Sequence, residues 1–392
     1  MIFRAIEPAR RDRVASRSQP HRGRIVLFTP GHSQLGGAER RSRLIVDGLA
    51  SRGWEVRAVT RAGSLNRPRL RRSPGYTVLE VPGFGRRRLG GLLFLAVAFP
   101  VGIAWGLRAR LFLSIQLMST STAAAACGLL LRRPFIGLST TTGSLSELAY
   151  LRSTRSWKIR RRLLGRAALL LSQSDAARAS LEQIVPAKRV AVLPNPVELP
   201  TRPPPLDDRP RAAFAGRFSE EKNLFALLEA WIEVFRRIPE ARLTLLGAGG
   251  DFRSVETELR AKVAADERLR RSVALPGWHP EPQAILRQHD VFALPSLAEG
   301  MSNALLEACA LRRIIVASDI PSNRAVLGPE YALLFDPRDV PGLSDRLCEA
   351  FENQEVRRAA LLQIETRLPR FTLDAVLQRL EQLIDAADRA CN

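Results

Sequence analysis

The sequence predicts an α/β protein with two domains, each built on a parallel β-sheet, and three observations lead to that prediction. Short buried-strand patterns alternate with helical stretches along most of the 392 residues, as in repeated βα units. A chain of this length is too long for one ordinary hydrophobic core, and 46% of its residues are hydrophobic, which is enough to fill two cores. A proline-rich polar segment, ELPTRPPPLDDRP, divides the two halves and is typical of a linker.

The first domain is predicted over residues 23–197, after a polar, basic and aperiodic tail at residues 1–22 that we expect to be disordered. Its first strand is RIVLFTP, which is followed by the loop GHSQLGGAE and by a helix that runs through Leu49. Six further runs have strand patterns: GWEVRAVT, YTVLEVP, LFLSIQ, PFIGLST, ALLLSQS and RVAVLPN. Helical stretches lie between most of them, so a parallel sheet is expected.

The second domain is predicted over residues 212–370, after the linker at residues 198–211, and a C-terminal helix at residues 371–392 could pack back on the first domain. Its strand patterns are RAAFAG, RLTLLG, SVALPG, DVFALPS, RIIVAS and YALLF. A helix is predicted over residues 223–237, because apolar residues recur there on one helical face. These residues are Leu224, Leu228, Trp231 and Phe235.

The segment PSLAEGMSNALLEACALRRIIVAS, residues 295–318, is the most informative part of the sequence. Glu299 lies on the loop after the strand DVFALPS, and Glu307 lies eight positions later in a helix that should begin near Ser302 or Asn303. Ligands of open parallel sheets bind beyond the carboxyl ends of the strands. Both carboxylates are therefore expected to face a ligand cleft.

Polar or small residues also follow the neighbouring strands. Arg217 follows RAAFAG and Lys222 comes five residues later, the turn AGGD follows RLTLLG, and Trp278 follows SVALPG. A diphosphate at this edge would need cations, which Arg217 and Lys222 supply, and it would favour the amino terminus of the nearby helix. Glu307 could then accept hydrogen bonds from ribose hydroxyls, and Glu299 from sugar hydroxyls.

Each of these charged residues also has a structural alternative. Arg217 and Lys222 could belong to a solvated face of an arginine-rich protein. Glu299 could cap the following helix, and Glu307 could pair with Arg312. The turn AGGD could be a turn and nothing more. The combination of all these features, and not any single one, favours a ligand site.

Four stretches, FAGRFSEEKN, LTLLGAGG, VALPGWH and LPSLAEGMSNALLEACA, together resemble the retaining glycosyltransferases of family 4. Their order and spacing match over nearly all of the second half, and LPNPVE and GHSQLGGAE in the first half also fit. The resemblance implies the GT-B fold, in which two Rossmann-like domains face each other across a cleft. It also implies transfer of a hexosyl-type sugar from a nucleoside diphosphate sugar to a glycan or lipid-linked acceptor, with retention of configuration and without a metal or other cofactor.

The resemblance also implies roles for individual residues. Arg217 and Lys222 would bind the donor diphosphate and assist its departure, and Glu299 would contact the donor sugar, which makes these three the candidate catalytic residues. Further donor contacts would come from the ribose-binding carboxylate, from loop backbone, and from two glycines of the first domain. These residues are Gly36, Gly37, Gly216, Trp278, Gly300, Met301, Ser302, Asn303 and Glu307.

The sequence departs from the pattern of this family in three places. Residues 311–314 read LRRI where the family often has CGxP, and Ala325 stands where an acidic residue is frequent. Many members have a histidine after the strand that corresponds to PFIGLST, whereas residues 140–142 of this chain are all threonine. These departures make the acceptor side unusual. A GT-B scaffold without turnover is therefore kept as an alternative.

The formal net charge of +21, most of it from arginine, suits an anionic partner. Residues 89–107 are uncharged over nearly the length of a membrane span, and they could form a span, a buried core helix or a helix partly inserted in a membrane. Residues 152–166 are basic and interleaved with apolar residues, so they could form a membrane-surface helix or an ordinary solvated one. A basic protein that binds only anionic membranes or nucleic acid is a second alternative, but no nucleic-acid-binding motif is recognisable and no nucleic acid partner is expected.

The four cysteines are far apart, and neither they nor the four histidines have the spacing of metal ligands. No signal peptide is recognisable at the start. We therefore expect a cytoplasmic protein in a reducing setting. The basic segments and the kind of acceptor that the resemblance implies predict that it docks peripherally on the inner face of the cell membrane.

Overall fold

The computed structural model describes residues 22–29, 37–62, 68–82, 87–140, 147–249 and 254–390. Several features of the sequence analysis lie outside these residues: positions 1–21 of the expected tail, Gly36, the last two residues of AGGD, and two of the three threonines at residues 140–142. Within the described residues the strands form two sheets, with β1–β8 in the first and β9–β14 in the second.

The first sheet has eight strands in the described residues, in the order β3-β4-β2-β1-β5-β6-β7-β8. The strands are β1 Gly23–Thr29, β2 Trp54–Ala62, β3 Arg69–Ser73, β4 Tyr76–Pro82, β5 Ala109–Ile115, β6 Phe135–Leu138, β7 Leu169–Ser172 and β8 Val190–Val192. Its helices are α1 Gly37–Ser51, α2 Arg87–Gly106, α3 Ser119–Leu131, α4 Glu147–Arg152, α5 Trp157–Leu164 and α6 Asp175–Glu182. The chain reverses its direction of travel across the sheet between β1 and β5.

The predicted parallel arrangement of the first sheet is confirmed, and at one edge an additional strand, β3, pairs antiparallel with β4. This strand reads RLRRS, and all five of its residues are exposed. A strand without a buried face has no alternation of apolar and polar residues, so its sequence does not show a strand pattern. Gly75, with φ of 79°, forms the turn that connects it to β4.

Helix α2 covers most of the uncharged segment at residues 89–107. Phe94 and Ala98 are buried in the core beside the sheet, whereas Leu93 and Phe99 are exposed. Gly102 allows the helix to approach closely, since a Cβ atom there would lie 2.7 Å from Phe28 and from the sulfur of Cys127. None of the described helices is long and apolar enough to span a membrane.

The second sheet has six parallel strands in the described residues, in the order β11-β10-β9-β12-β13-β14, with the switch point between β9 and β12. The strands are β9 Arg211–Ala215, β10 Arg242–Leu246, β11 Val273–Gly277, β12 Val291–Leu294, β13 Ile314–Ser318 and β14 Leu334–Phe335. The helices are α7 Leu224–Arg237, α8 Glu256–Ala265, α9 Glu267–Ser272, α10 Pro282–Leu286, α11 Asn303–Ala310, α12 Pro321–Leu327, α13 Val340–Glu352, α14 Gln354–Arg367 and α15 Leu373–Arg389.

The helix predicted over residues 223–237 is confirmed, and it begins one residue later because Asn223 adopts a left-handed conformation with φ of 55°. Three of its four predicted core residues are buried, and Phe235 is half-buried. The predicted strand YALLF is too long. Only its last two residues pair with β13. The first, Tyr331, is instead buried with its hydroxyl accepting a hydrogen bond of 3.2 Å from the Ile315 amide.

The chain passes between the two domains at Val197 and again at Thr372, and the two crossings are hydrogen-bonded to each other. The Val197 amide donates to the Phe371 carbonyl at 2.8 Å, and the Leu373 amide donates to the Val197 carbonyl at 2.9 Å. This parallel bridge fixes the point at which the two domains join.

The proline-rich segment after the first crossing lies against the second domain. Arg313 is only 1% exposed, and its guanidinium donates to the carbonyl oxygens of Pro204 and Pro205. The Asp290 carboxylate accepts from the backbone amides of Asp207 and Asp208 at 3.1 and 2.8 Å. Arg313 is one of the residues that depart from the family pattern, and anchoring this segment gives it a structural role.

Helix α15, after the second crossing, packs on the first domain. Its apolar side chains share a core with residues of β1, β2 and α1. Glu381 on this helix is buried, and its carboxylate accepts from Trp54 Nε1 at 3.0 Å and from Arg52 Nη1 at 2.9 Å. Arg110 pairs with Asp385 and Asp388 at 3.0 and 2.8 Å. Apolar burial and ion pairs therefore both attach the C-terminal helix to the first domain.

Replacing Glu381 by alanine is expected to lower the free energy of unfolding by about 2–3 kcal/mol, because Arg52 and the Trp54 indole lose a buried acceptor. Urea denaturation followed by tryptophan fluorescence measures the change. Asp385→Ala is the matched control, since it removes a carboxylate that is 41% exposed and should cost less than about 1 kcal/mol. Equal losses in the two variants would contradict this role of Glu381.

Candidate active site

The predicted site residues follow strands that are neighbours in the second sheet. Arg217 and Lys222 come after β9, and Glu299 comes after β12, which flanks the switch point together with β9. Trp278 follows β11 at the far edge of the sheet and is 48% exposed. Because all these strands are parallel, their carboxyl ends meet at one edge, where ligands bind in open α/β sheets.

Lys222 and Glu299 form an ion pair beneath the surface of this edge. Lys222 Nζ lies 2.5 Å from Glu299 Oε1, and the two side chains are 13% and 10% exposed. The Ser296 hydroxyl donates to the same carboxylate oxygen at 2.8 Å. The alternative in which Lys222 belongs to a solvated face is therefore wrong. An ammonium group has three donors, so Lys222 can hold Glu299 and still bind another anion.

The alternative in which Glu299 caps helix α11 is also wrong. The cap is Ser302, whose hydroxyl accepts a hydrogen bond of 3.2 Å from the Leu305 amide. Glu299 and Gly300 lie on the loop before this cap. The helix begins at Asn303, as the sequence predicts, and the amides of its first turn lack carbonyl partners within the helix.

Arg217 lies at the mouth of the site and is more exposed than Lys222. Its side chain is 69% exposed, and Nη2 lies 3.4 Å from Glu221 Oε1. The contact is long for a hydrogen bond and well solvated, so it holds the guanidinium weakly. The phosphate-binding role of Arg217 stays a prediction, and in this structure its surroundings are those of a solvated residue.

Backbone atoms from the loops after β9 and β10 form the floor between these charged groups. The Gly216 amide donates to the Leu246 carbonyl, and the Phe218 amide donates to the Ala248 carbonyl, each at 2.9 Å. Gly247 has φ of 147°, and a Cβ atom there would lie 1.8 Å from the Gly216 oxygen. Only glycine, which has no Cβ atom, fits where residue 247 lies so close to the Gly216 oxygen. Gly247 was not among the predicted site residues, although it lies in the stretch LTLLGAGG.

Asn195 of the first domain contacts the start of helix α11 and was missed by the sequence analysis. Its Nδ2 donates to the Met301 carbonyl at 3.0 Å and to Asn303 Oδ1 at 2.8 Å. Its Oδ1 accepts from Gln173 Nε2 at 2.9 Å, so the amide is held from both domains. Asn195 lies in the LPNPVE stretch, which carried the family resemblance but suggested no role for this side chain.

Glu307 is buried at the interface between the two domains and pairs with Arg40 of helix α1. Arg40 Nη1 lies 3.0 Å from Glu307 Oε1, and the carboxylate is 8% exposed. Burial raises the pKa of the Glu307 carboxyl, although Arg40 and the side chain of Gln283 act in the opposite direction. The alternative pairing with Arg312 is wrong, because Arg312 pairs with Glu365 at 3.2 Å.

Of the two glycines predicted in the first domain, the structure describes Gly37. Gly37 is the first residue of helix α1, three positions before Arg40, and Gly36 lies outside the described residues. The structure therefore leaves the predicted contact of these glycines with phosphate as a prediction.

Two cavities lie near the sheet edges. The larger, about 450 Å³, is next to the undescribed residues 250–253 and is lined by Gly249, Ser254, Glu256, Thr257 and Arg260. The smaller, about 10 Å³, lies between the domains and is lined by Arg40, Arg41, Leu44, Pro196, Val197, Glu198, Asn303 and Glu307. We place the candidate site at the smaller cavity, because the buried carboxylate and the start of helix α11 are there. Among the described residues, no three His, Cys, Asp or Glu side chains are grouped so as to hold a metal ion.

Comparison with known protein families gives two matches, one for each domain. Residues 209–353 match the family described as glycosyl transferases group 1, and residues 36–196 match the family described as glycosyl transferase 4-like domain. The two matches are consecutive and together cover most of the chain.

Curated relatives match part of the chain. One is the UDP-Gal:alpha-D-GlcNAc-diphosphoundecaprenol alpha-1,3-galactosyltransferase of Escherichia coli, 26% identical over 202 residues, which are 47% of this chain and 51% of the relative. Another is the putative teichuronic acid biosynthesis glycosyltransferase TuaC of Bacillus subtilis, 29% identical over 154 residues, which are 39% of this chain and 35% of the relative. The chain thus spans between a third and about half of the length of these relatives.

Solved structures resemble the chain over almost its whole length. The sucrose-phosphate synthase of Thermosynechococcus elongatus has a TM-score of 0.74 at 20% identity and covers 94% of this chain and 100% of its own. The Anabaena protein Alr3699/HepE in complex with UDP has a TM-score of 0.71 at 17% identity. The match covers 93% of this chain and 100% of the Anabaena chain. At these identities the similarity concerns the fold.

Replacing Gly247 by alanine is expected to separate the two loops that form the floor of the site, because a methyl group cannot fit beside the Gly216 oxygen. Gly277→Ala is the matched control: Gly277 ends the adjacent strand with φ of 89°, and a Cβ atom there would meet nothing within 4 Å. The control substitution should lower the free energy of unfolding by about 1–2 kcal/mol, because it strains the backbone without creating a clash. Thermal unfolding of both variants makes the comparison, and equal losses would contradict the close approach of the two loops.

Proposed function

We propose that this chain, which belongs to the group 1 glycosyltransferases and has the GT-B fold, transfers a hexosyl-type sugar from a nucleoside diphosphate sugar. The proposed acceptor is a lipid-linked molecule or a glycan, and the transfer retains the configuration of the sugar. The observation that carries the proposal is the Lys222–Glu299 ion pair, which lies at the switch point beside the start of helix α11. The E. coli relative is named for a diphosphoundecaprenol acceptor, and this name supports the lipid-linked class.

In the proposed complex the diphosphate lies between Lys222, Arg217 and the first turn of helix α11. Lys222 supplies a positive charge that Ser296 and Glu299 hold in place. The amino terminus of the helix, at the positive end of its dipole, adds an attraction for the same anion. Glu299 accepts from the donor sugar, and Glu307 accepts from the ribose. The solved structure of HepE in complex with UDP supports a nucleotide in this cleft.

Catalysis in this proposal depends on the leaving group. The diphosphate gains negative charge as its bond to the sugar breaks, so a cation fixed beside it stabilises the transition state more than the ground state. Lys222 and Arg217 are the cations that we propose for this role, and the proposed reaction needs no metal ion. Lys222 is better placed than Arg217, because its ion pair is shielded from solvent and its position is fixed before the donor binds.

We also propose that the first domain docks on anionic lipid from the cytoplasmic side. Helix α3 packs against both α2 and α5, and side chains of all three helices belong to the core on one face of the first sheet. They and the residues next to them expose both apolar and basic side chains, as membrane-surface segments do. The exposed apolar residues are Leu93, Phe99, Leu107, Leu129, Leu130 and Ile159. The exposed basic residues are Arg108, Arg132, Arg133, Lys158, Arg161 and Arg162.

Thermal-shift measurements with UDP-, GDP- and ADP-sugars test the donor class, with duplex DNA as the competing partner. We expect a nucleotide sugar, and not DNA, to raise the melting temperature. With the donor so identified, Lys222→Ala should lower turnover on the order of 100-fold, because the leaving diphosphate loses a preorganised cation.

Lys262→Ala is the matched control for Lys222→Ala. It removes another lysine–glutamate pair of the second domain, with Glu229, in which the carboxylate is 52% exposed. This control should keep wild-type turnover. A Lys222→Ala enzyme that turns over at the wild-type rate would remove Lys222 from the mechanism, whatever its Michaelis constant. No response to any nucleotide sugar would contradict the proposed function.

Flotation with anionic liposomes tests the docking surface. The wild-type protein should float at low salt and less at high salt, because exposed charges are screened. Ile159→Asp should weaken flotation, whereas Leu362→Asp, which places the same charge at an exposed leucine on α14, should not. Protein that stays with the membrane after an alkaline carbonate wash would contradict peripheral docking.

A further inference from the structure

Arg40 is a first-domain residue whose side chain is held by two helices of the second domain. Its Nη1 lies 3.0 Å from Glu307 Oε1 on helix α11. The side-chain oxygen of Gln283 on helix α10, with the amide turned to face Arg40, accepts from the same nitrogen at 3.1 Å. Arg40 thus crosses the cleft and contacts the carboxylate to which the proposed function assigns the donor ribose.

The stability of helix α1 does not explain an arginine at this position. Arg40 is the fourth residue of the helix and lies in its first turn. The positive end of the helix dipole is there, and a cation near it is unfavourable. The contacts that favour Arg40 come from the other domain, so its position is explained by what it does across the cleft.

The space around the ion pair leaves no room for a sugar ring. Arg40, Asn303 and Glu307 line the same small cavity, whose volume of about 10 Å³ is about that needed for one water molecule. The carboxylate of Glu307 is only 8% exposed. A ribose can reach Glu307 only if this space is enlarged, and the partly exposed guanidinium of Arg40 is the group on the carboxylate that can move away into solvent.

The ion pair is also one that a ligand can break. The side chain of Arg40 is 35% exposed, so its guanidinium regains contact with water when it leaves Glu307. Separating the pair therefore leaves one charge, the buried carboxylate of Glu307, in need of new hydrogen-bond donors, and ribose hydroxyls can supply them. A fully buried pair would not have this property, because separating its charges would leave both of them without compensation.

We propose that Arg40 is an interdomain latch that competes with the donor ribose for Glu307. While the latch is closed, Arg40 holds helix α11 against helix α1. When the donor binds, ribose hydroxyls replace the guanidinium on the carboxylate. The apparent affinity for the donor is then lowered by the fraction of molecules in which the latch is closed. This inference rests on the proposed function for its assignment of Glu307 to the ribose.

Isothermal titration of wild-type and Arg40→Met proteins with UDP, GDP and ADP tests the latch. Methionine keeps an unbranched apolar stem but cannot pair with Glu307. The variant should bind the preferred nucleotide about fivefold more tightly, because its cleft no longer has an internal competitor. The gain should appear as faster association in stopped-flow measurements and not as slower dissociation.

Arg43→Met is the matched control, since Arg43 lies on the same helix α1 with an exposed side chain and should leave the affinity unchanged. Glu307→Ala should weaken nucleotide binding both in the wild-type protein and in Arg40→Met. This result would link the increased affinity of Arg40→Met to the ribose site. Circular dichroism and melting curves verify that each variant is folded.

The outcomes separate the latch from the proposed function. If the wild-type protein binds a nucleotide and Arg40→Met binds it equally or more weakly, the latch is contradicted and the proposed function is not. Weaker binding through faster dissociation would make Arg40 a ligand of the donor instead. If neither protein binds any of the three nucleotides and sugar nucleotides also give no thermal shift, the proposed function fails and the latch fails with it. Binding by Arg40→Met but not by the wild type supports both.

Discussion

The backbone pairing of Val197 with Phe371 and Leu373 is the interaction on which the arrangement of the two domains depends. Two hydrogen bonds join the places where the chain leaves the first domain and returns to it. On one side of this point, Arg313 and Asp290 fix the proline-rich segment to the second domain. On the other side, helix α15 is fixed to the first domain. Both arms are held, so this short stretch of backbone fixes the point at which the two domains are joined. By its sequence alone, a proline-rich segment would be taken for a free spacer. Here the buried guanidinium of Arg313 binds the segment to the second domain, so the segment belongs to that domain.

Glu299 and Glu307, the two glutamates that the sequence analysis assigned to this cleft, are paired in different ways. Glu299 is paired within its own domain, by Lys222, so the pair persists whatever the domains do. Glu307 is paired by Arg40 from the opposite domain, so that its charge is compensated only while the domains are close at this point. Burial raises the pKa of Glu307, which shows that its carboxylate is costly to leave without a partner. The local pair suits a fixed catalytic group, whereas the interdomain pair suits a group that changes partners during binding.

The sequence is sufficient to predict the parts of this protein that have a local pattern. Buried parallel strands appear as apolar runs, and the rule that ligands bind beyond strand ends brings Lys222 and Glu299 to one edge without any structural knowledge. The exposed strand β3 has no buried face and could not be recognised in this way. Arg40 and Asn195 could not be assigned either, because each contacts residues of the other domain, and no spacing along the chain shows that two distant polar side chains meet. The choice of Ser302 over Glu299 as the helix cap depended on side-chain geometry that the sequence leaves open.

The structure also separates two departures from the family pattern that look alike in the sequence. The LRRI stretch at residues 311–314 gives Arg313 to the anchoring of the interdomain segment, so a larger residue replaces a family motif there for a structural reason. The threonines in place of a first-domain histidine are different. Thr140 lies just beyond β6, at the carboxyl edge of the first sheet, which is the edge where ligands of such sheets bind. A neutral hydroxyl cannot carry the positive charge that a histidine can. The first departure therefore has a structural explanation in the anchoring of the interdomain segment, whereas the second begins at an edge where ligands of such sheets bind.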